Sequence, residues 1–273
     1  MITIIADSSV SLKKSEADLL GVRLIPMHYS VSGKSYLESY SDKNGGFEQL
    51  LASGSSIYTS QPKTAAFLAC FSEELALGNE VLCITISSRL SGAYSSAHAA
   101  ASQLSSDKIT VFDSLTTAGG LYLLVKAARR MALRNMPLDR IVEELTILRM
   151  KTVAVFSVDD MNPLRNSGRL GTVRMSVGTF LNIKPILLCR DGSVIADGVA
   201  HGTPDIIRRM TLKLPQNVDE IVINYIRGSR LATHLHTTVR SLFPRAQVRL
   251  HKMGPVLGIH LGLNVVALCF ISK

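Results

Sequence analysis

Val81-Leu82-Cys83-Ile84-Thr85-Ile86-Ser87-Ser88-Arg89-Leu90-Ser91-Gly92 decides how this chain folds. The apolar, β-rich run 81–86 reads as a buried strand, and the hydroxyl-crowded turn after it opens an Ala-rich stretch to Gln103 that reads as a helix. The first turn of a helix leaves backbone N–H groups unpaired, and its dipole favours negative charge. With the hydroxyls of Ser87, Ser88 and Ser91, this turn forms a cradle of donors suited to a carboxylate more than to a polyphosphate. A serine at such a place also serves simply to cap the helix. A second hydroxyl cluster, Thr59-Ser60-Gln61-Pro62, likewise precedes a predicted helix, and two such clusters favour binding over capping alone.

Outward from this stretch, strands at 2–6, 23–31, 81–86, 108–112 and 152–157 alternate with helices at 63–77, 92–103, 116–134 and 138–149. The alternation predicts βαβ units and a mostly parallel, Rossmann-like sheet with helices on both faces. Ligands of such sheets bind beyond the carboxyl ends of the strands, where the Ser87–Ser91 turn falls. After residue 158 the pattern changes. A polar, Gly-containing segment from Asn162 to Gly171 leads to a helix near 172–182, then strands at 184–190 and 194–198 around Asp191-Gly192, a hairpin-turn signal. A helix near 204–213, a strand near 220–226, a helix near 229–241 and strands at 246–252 and 264–271 complete the chain. The sequence therefore predicts an α/β protein of two closely packed domains: a parallel one over 1–158 and an α+β one with antiparallel strands over 159–273.

The 273 residues are 47% hydrophobic but only 5% aromatic, with no Trp, so apolar volume comes from Ala, Val, Leu, Ile and nine Met. Such side chains fill ordinary α/β cores and equally line a tunnel for an alkyl chain. The formal charge of +9 is scattered, with no basic run and no aromatic interleaving, so no nucleic acid is expected; a transient contact with an anionic membrane surface fits the charge as well. Cys70, Cys83, Cys189 and Cys269 lie in apolar contexts without C-x-x-C spacing and read as buried thiols, so no metal is expected. The chain begins directly on strand-like Ile2-Thr3-Ile4-Ile5, and no apolar run approaches the roughly 20 residues that span a bilayer, which predicts a cytoplasmic protein. Gly33-Lys34-Ser35 resembles the end of a P-loop, but His28 stands where its first glycine is required. No G-x-S-x-G elbow or H-E-x-x-H occurs, so ATPase, esterase and metallohydrolase readings lack their defining parts, and no cofactor is expected.

Asp7-Ser8-Ser9, Thr59-Ser60-Gln61-Pro62, Ser87-Ser88-Arg89-Leu90-Ser91-Gly92-Ala93-Tyr94, Asp113-Ser114 with Gly119-Gly120, Ser167-Gly168-Arg169-Leu170, Lys184-Pro185-Ile186-Leu187 and Gly254-Pro255-Val256-Leu257-Gly258-Ile259-His260 resemble, in order, the motifs of the DegV family. The resemblance runs from residue 2 to about residue 262. It implies a two-domain α/β protein that buries one long-chain fatty acid between its domains. In many bacteria such proteins are the lipid-carrying, non-catalytic subunits of a fatty acid kinase, whose separate subunit holds ATP and phosphorylates the carboxyl group. By resemblance, Ser60 and Ser91 match serines that contact the carboxylate, with Thr59 and the Gly92 backbone nearby, and Arg169 and His260 match polar positions at the carboxyl end. The chain departs from the pattern at His201, where many relatives have an arginine, at Leu261-Gly262-Leu263-Asn264 and within Lys34 to Gly45. At about 0.8 kcal/mol per methylene, a sixteen-carbon chain grosses about 12 kcal/mol. A charge-assisted hydrogen bond adds about 1.5–3 kcal/mol, so the tunnel sets affinity and the hydroxyls set which end faces out.

Two other classes remain open from the residues alone. One is an enzyme acting on a small carboxylate or phosphate ester in the serine-rich cleft, which requires His260 within hydrogen-bond reach of Ser60 or Ser91 as a general base. The other is a basic regulatory protein with its positive charge gathered on one face.

Overall fold

The computed structural model describes residues 1–170, 183–228 and 230–272. In chain order the strands are β1 (Ile2–Asp7), β2 (Val22–Ile25), β3 (His28–Val31), β4 (Lys34–Leu37), β5 (Tyr58–Ser60), β6 (Glu80–Thr85), β7 (Ile109–Asp113), β8 (Thr152–Ser157), β9 (Ile183–Arg190), β10 (Ser193–His201), β11 (Glu220–Tyr225), β12 (Gln247–Lys252) and β13 (Val266–Ile271). The helices are α1 (Lys14–Leu20), α2 (Phe47–Ser53), α3 (Thr64–Ala76), α4 (Ala93–Leu104), α5 (Ala118–Ala132), α6 (Leu138–Lys151), α7 (Asn162–Asn166), α8 (Gly202–Thr211), α9 (Arg230–Leu242) and α10 (Pro255–Leu261).

The four-stranded sheet β2-β1-β6-β7 is wholly parallel, as the alternation predicts. A six-stranded sheet, β10-β9-β8-β13-β11-β12, is antiparallel except for the β11–β12 pair. The strand at 152–157, expected in the parallel sheet, instead pairs with β9 and β13 in the second. Its alternation reads the same in either place, and only the partner strands settle it. The single strand expected over 23–31 is broken at Pro26, which donates no ladder hydrogen bond. Its first half pairs with β1, and its second half forms a small antiparallel sheet, β4-β3-β5. The helix expected near 172–182 lies outside the described residues.

Helix α5 lies between the two large sheets. Its first eight residues, Ala118 to Val125, are all buried, the signature of a helix covered on every side. Leu121, Leu124 and Val125 share one apolar cluster with Ile4 and Leu82 of the first sheet and Ala154, Val222 and Cys269 of the second. Helices α3 and α4 cover the opposite face of the parallel sheet through Phe67, Phe71, Ala97 and Ala100. Helices α8 and α9 cover the outer face of the second sheet through Ile206, Met210, Leu235 and Val239. Asp191-Gly192 makes the expected tight turn between β9 and β10, with φ of 48° and 79° at its two residues. That turn packs against the other half of the molecule: Ser87 Oγ donates to the Gly192 carbonyl at 2.8 Å, and a Cβ on Gly192 would lie 2.4 Å from that Oγ.

Helix α10 is placed by a buried acid. Glu38, 1% exposed, accepts from the Ser8 hydroxyl at 2.7 Å and from the Val256 N–H at 3.0 Å. A Cβ on Gly254 would stand 2.2 Å from Glu38 Oε1, so only glycine allows this approach. Burial pushes the Glu38 carboxyl up to about 7, against the pull of its two hydrogen bonds. The unfolded chain ionises this group more readily than the fold does. Its contribution is therefore full below pH 4.5 and is lost as pH rises through about 7. Replacing Glu38 with Gln should make the fall in unfolding free energy across that window shallower, by on the order of 3 kcal/mol, in urea titrations at stepped pH. Equal slopes in variant and wild type would refute the assignment.

Candidate functional site

Between the two large sheets, on the side of α10, lies a cavity of about 880 Å³ of empty space including its open end. That volume falls in the range of small-molecule sites. Its apolar walls come from Phe156, Ala154, Ala267 and Cys269 of the six-stranded sheet, from Ile86 after β6, and from Val256 and Leu257 of α10. Most of its polar groups gather at one end: Thr59, Ser60 and Gln61 from β5 and the turn after it, Ser91 from the turn before α4, Arg169 and His260; Thr117, at the start of α5, adds a buried hydroxyl with no partner among the described residues. Ser60 and Gln61 are exposed, whereas Ala154, Phe156, Ala267 and Cys269 are buried, so the polar end is the solvent end.

Five of the six residues singled out from the sequence, Thr59, Ser60, Ser91, Arg169 and His260, line this one cavity. The sixth, Gly92, caps α4 beside Ser91, with the Gln61 side chain packed against it at 3.1 Å from where a Cβ would stand. That contact draws the two hydroxyl clusters together. The expected three-serine cradle is narrower than the sequence implied. Ser87 is buried and spends its hydroxyl proton on the Gly192 carbonyl, while its Oγ accepts from the Arg89 N–H at 3.2 Å. Ser88 is exposed and its N–H donates to Asp113 at 3.1 Å. Ser91 remains: its Oγ accepts from the Ala93 N–H at 3.3 Å, which leaves its own proton to donate into the cavity.

His260 Nε2 stands 2.8 Å from Thr59 Oγ1, joining α10 to β5 across 201 positions of sequence. Among the described residues it bonds neither Ser60 nor Ser91, and its buried Nδ1 has no partner. Burial, reinforced by the nearby Arg169 charge, pulls the imidazole down to about 4, so it is neutral at pH 7. Arg169 is held by main-chain carbonyls: Nε donates to Leu90 at 3.3 Å, and Nη1 donates to Ser167. Among the described residues its hydrogen bonds go to these carbonyls and to no carboxylate, which leaves a positive charge beside the hydroxyls. A neutral base with no orienting partner on Nδ1 is poorly equipped to activate a serine it does not touch. The same set of groups suits holding an anion. Phe156, Ala154 and Ala267 were not legible as cavity walls in the sequence, because strand alternation marks such residues only as core.

These features define an α/β protein with an apolar cavity between two sheets and an anion-suited polar mouth. The chain belongs to the DegV family, whose model, described as "Uncharacterised protein, DegV family", matches residues 1–273. A DegV domain-containing protein of Listeria innocua is 28% identical over 288 aligned positions, covering 100% of this chain and 99% of that one. A DegV domain-containing protein of Deinococcus radiodurans is 30% identical, covering 97% and 96% of the two chains. Among solved structures, a DegV family protein of Thermus thermophilus described by its fatty acid binding superposes with a TM-score of 0.89 at 25% identity, covering 100% and 99%. A DegV family protein of Eubacterium eligens loaded with heptadecanoic acid gives a TM-score of 0.86 at 19% identity over the whole of both chains.

In the ligand-free protein, His260 should titrate with a midpoint near 4 in ¹⁵N-edited NMR, and Arg169→Gln should raise that midpoint while burial keeps it below 6.5. A His260 that titrates at its ordinary value in the wild type would contradict the buried, cation-flanked site.

Proposed function

We propose that this protein binds one long-chain fatty acid in the cavity and presents its carboxylate to a separate ATP-dependent kinase subunit for acyl-phosphate formation, itself catalysing nothing. The observation that carries the reading is the segregation of the cavity: apolar residues along its buried walls, with Thr59, Ser60, Ser91, Arg169 and His260 together at its open end. A fatty acid has that same division. The fatty acids described for the Thermus thermophilus and Eubacterium eligens relatives support the ligand class.

In this reading Ser60 and Ser91 donate to the carboxylate, Thr59 and the Gly92 backbone complete its surroundings, and the tail lies along β8 and β13. Thr59 is oriented by His260, and the neutral imidazole adds no charge that a carboxylate would have to match. Arg169 supplies the cation. A carboxylate carries one negative charge, whereas an acyl phosphate carries up to about two, so the cation is worth more as phosphorylation proceeds. The open end keeps the carboxylate within a partner's reach while the tail stays out of water. Among the described residues no helix is long and apolar enough to cross a membrane, so any contact with a membrane surface would be peripheral.

Native mass spectrometry of freshly purified protein should show about one fatty acid per chain. Adding such a lipid at a hundred times its dissociation constant to delipidated protein should stabilise it by about 2.7 kcal/mol. Absence of lipid together with an unmoved melting temperature would reject the ligand class. Ser91→Ala should weaken binding by about 1.5–3 kcal/mol while leaving it measurable, because the apolar contribution is larger. With lipid loading held equal, Arg169→Ala should lower acyl-phosphate formation by a cognate kinase at least about tenfold, or about 1.4 kcal/mol. Unchanged turnover would remove Arg169 from the transfer step.

A further inference from the structure

The apolar cavity has a neighbour at its far end. A second cavity, of about 720 Å³ of empty space, lies beyond the start of β8 and the end of β9, with Leu115, Met150, Leu188, Arg149 and Arg190 among its walls. Cys189 is the one described residue that lines both.

The strand register shows what Cys189 does there. On the face turned to the cavity, Leu187, Phe156 and Ala267 form one row across β9, β8 and β13. The next row is Cys189, Ala154 and Cys269. Successive rows on one face of a sheet are about 6.8 Å apart. Ser157, at the end of β8, leads towards Arg169, and β13 begins just after α10 with its His260. Moving from Phe156 to Ala154 therefore moves away from the hydroxyl end. One row further, Thr152 already belongs to the wall of the second cavity. The cavities thus lie in line along β8 and part at the Cys189 row. There the Cys189 thiol donates to the Leu115 carbonyl at 3.7 Å, closing β9 against the loop that precedes α5. Burial pushes this thiol up to about 12, so it remains a small uncharged wall group.

We infer that Cys189 is the stop for the methyl end of the acyl chain and fixes the longest chain the cavity accepts. The inference rests on the fatty-acid reading above. With C–C bonds of about 1.5 Å, an extended chain advances about 1.3 Å per carbon, so one row corresponds to about five carbons. Removing the thiol opens the first cavity onto the near side of the second, where Leu115 and Met150 offer apolar surface. A larger side chain at this position intrudes on the space before it.

The test loads delipidated full-length protein with an equal mixture of straight-chain saturated fatty acids of graded length and reads the bound masses by native mass spectrometry. Cys189→Ala and Cys189→Gly should raise the longest bound chain by about two carbons or more, and Cys189→Leu should lower it by about as much. Cys83→Ala is the control: this buried thiol sits in the cluster on the opposite face of the parallel sheet and lines neither cavity, so the upper limit should stay in place. Limits for Cys189→Ala and Cys189→Gly equal to wild type, or a rise as large in Cys83→Ala, would overturn the stop. Should Cys189→Leu fail to fold, the two smaller variants decide alone. Wild type that loads no fatty acid at all would overturn the ligand reading and this inference with it, whereas a loaded wild type with immovable limits would overturn this inference only.

Discussion

The buried carboxylate of Asp7 sets the position of the polar mouth. It is inaccessible to water and accepts from the Ile86 N–H at 2.6 Å, the Ser9 N–H at 3.1 Å and the Ser9 hydroxyl at 2.5 Å. Burial raises its pKa and these donors oppose the rise. An unpaired buried carboxylate is costly, so the three donors are fixed where they stand. One of them is the backbone at the end of β6, from which the Ser87–Ser91 turn springs. The residue between, Ser8, donates to Glu38, and Glu38 accepts from the first turn of α10. Three consecutive residues at the end of β1 thereby hold the Ser91 turn and the His260 helix in one frame. The Ser87–Gly192 hydrogen bond then ties this frame to the second sheet.

Affinity and orientation are divided within the site. The walls of the six-stranded sheet and of α10 offer area without direction, which suits a flexible tail of many near-equivalent methylenes. Among the described residues the mouth offers direction through hydroxyls, a neutral imidazole and the Arg169 cation. In the proposed function, a neutral His260 leaves Arg169 as the cation, among the described residues, that a bound anion meets.

Much of this was legible in the chain itself, and the failures have specific causes. The strand–turn–helix at 81–103 was clear because a β-rich run with five apolar residues precedes a hydroxyl turn and an Ala-rich helix, all local signals. The sheet to which 152–157 belongs was not, since Ala154 and Phe156 face a core in either arrangement. The small sheet β4-β3-β5 escaped because its strands are three or four residues long, and Pro26 splits an apolar stretch that otherwise reads as continuous. Helix α10 escaped for a similar reason: its Gly254-Pro255 start reads as a loop until Glu38 is seen to occupy the space a side chain would need. Among the candidate residues, spacing gave no hint that His260 meets Thr59 and not a serine, or that Ser87 spends its hydroxyl on a hairpin about a hundred residues away. Both are long-range contacts, and no local pattern encodes them.

The orientation of the bound lipid is the central point, and a carboxyl-labelled fatty acid tests it most directly. With [1-¹³C]palmitate bound, the carboxyl resonance should shift on Ser91→Ala and on Thr59→Val, and should be insensitive to Cys269→Ala at the opposite end of the cavity. A carboxyl resonance that ignores Ser91 and Thr59 but moves with Cys269 would place the headgroup at the buried end and contradict the arrangement described.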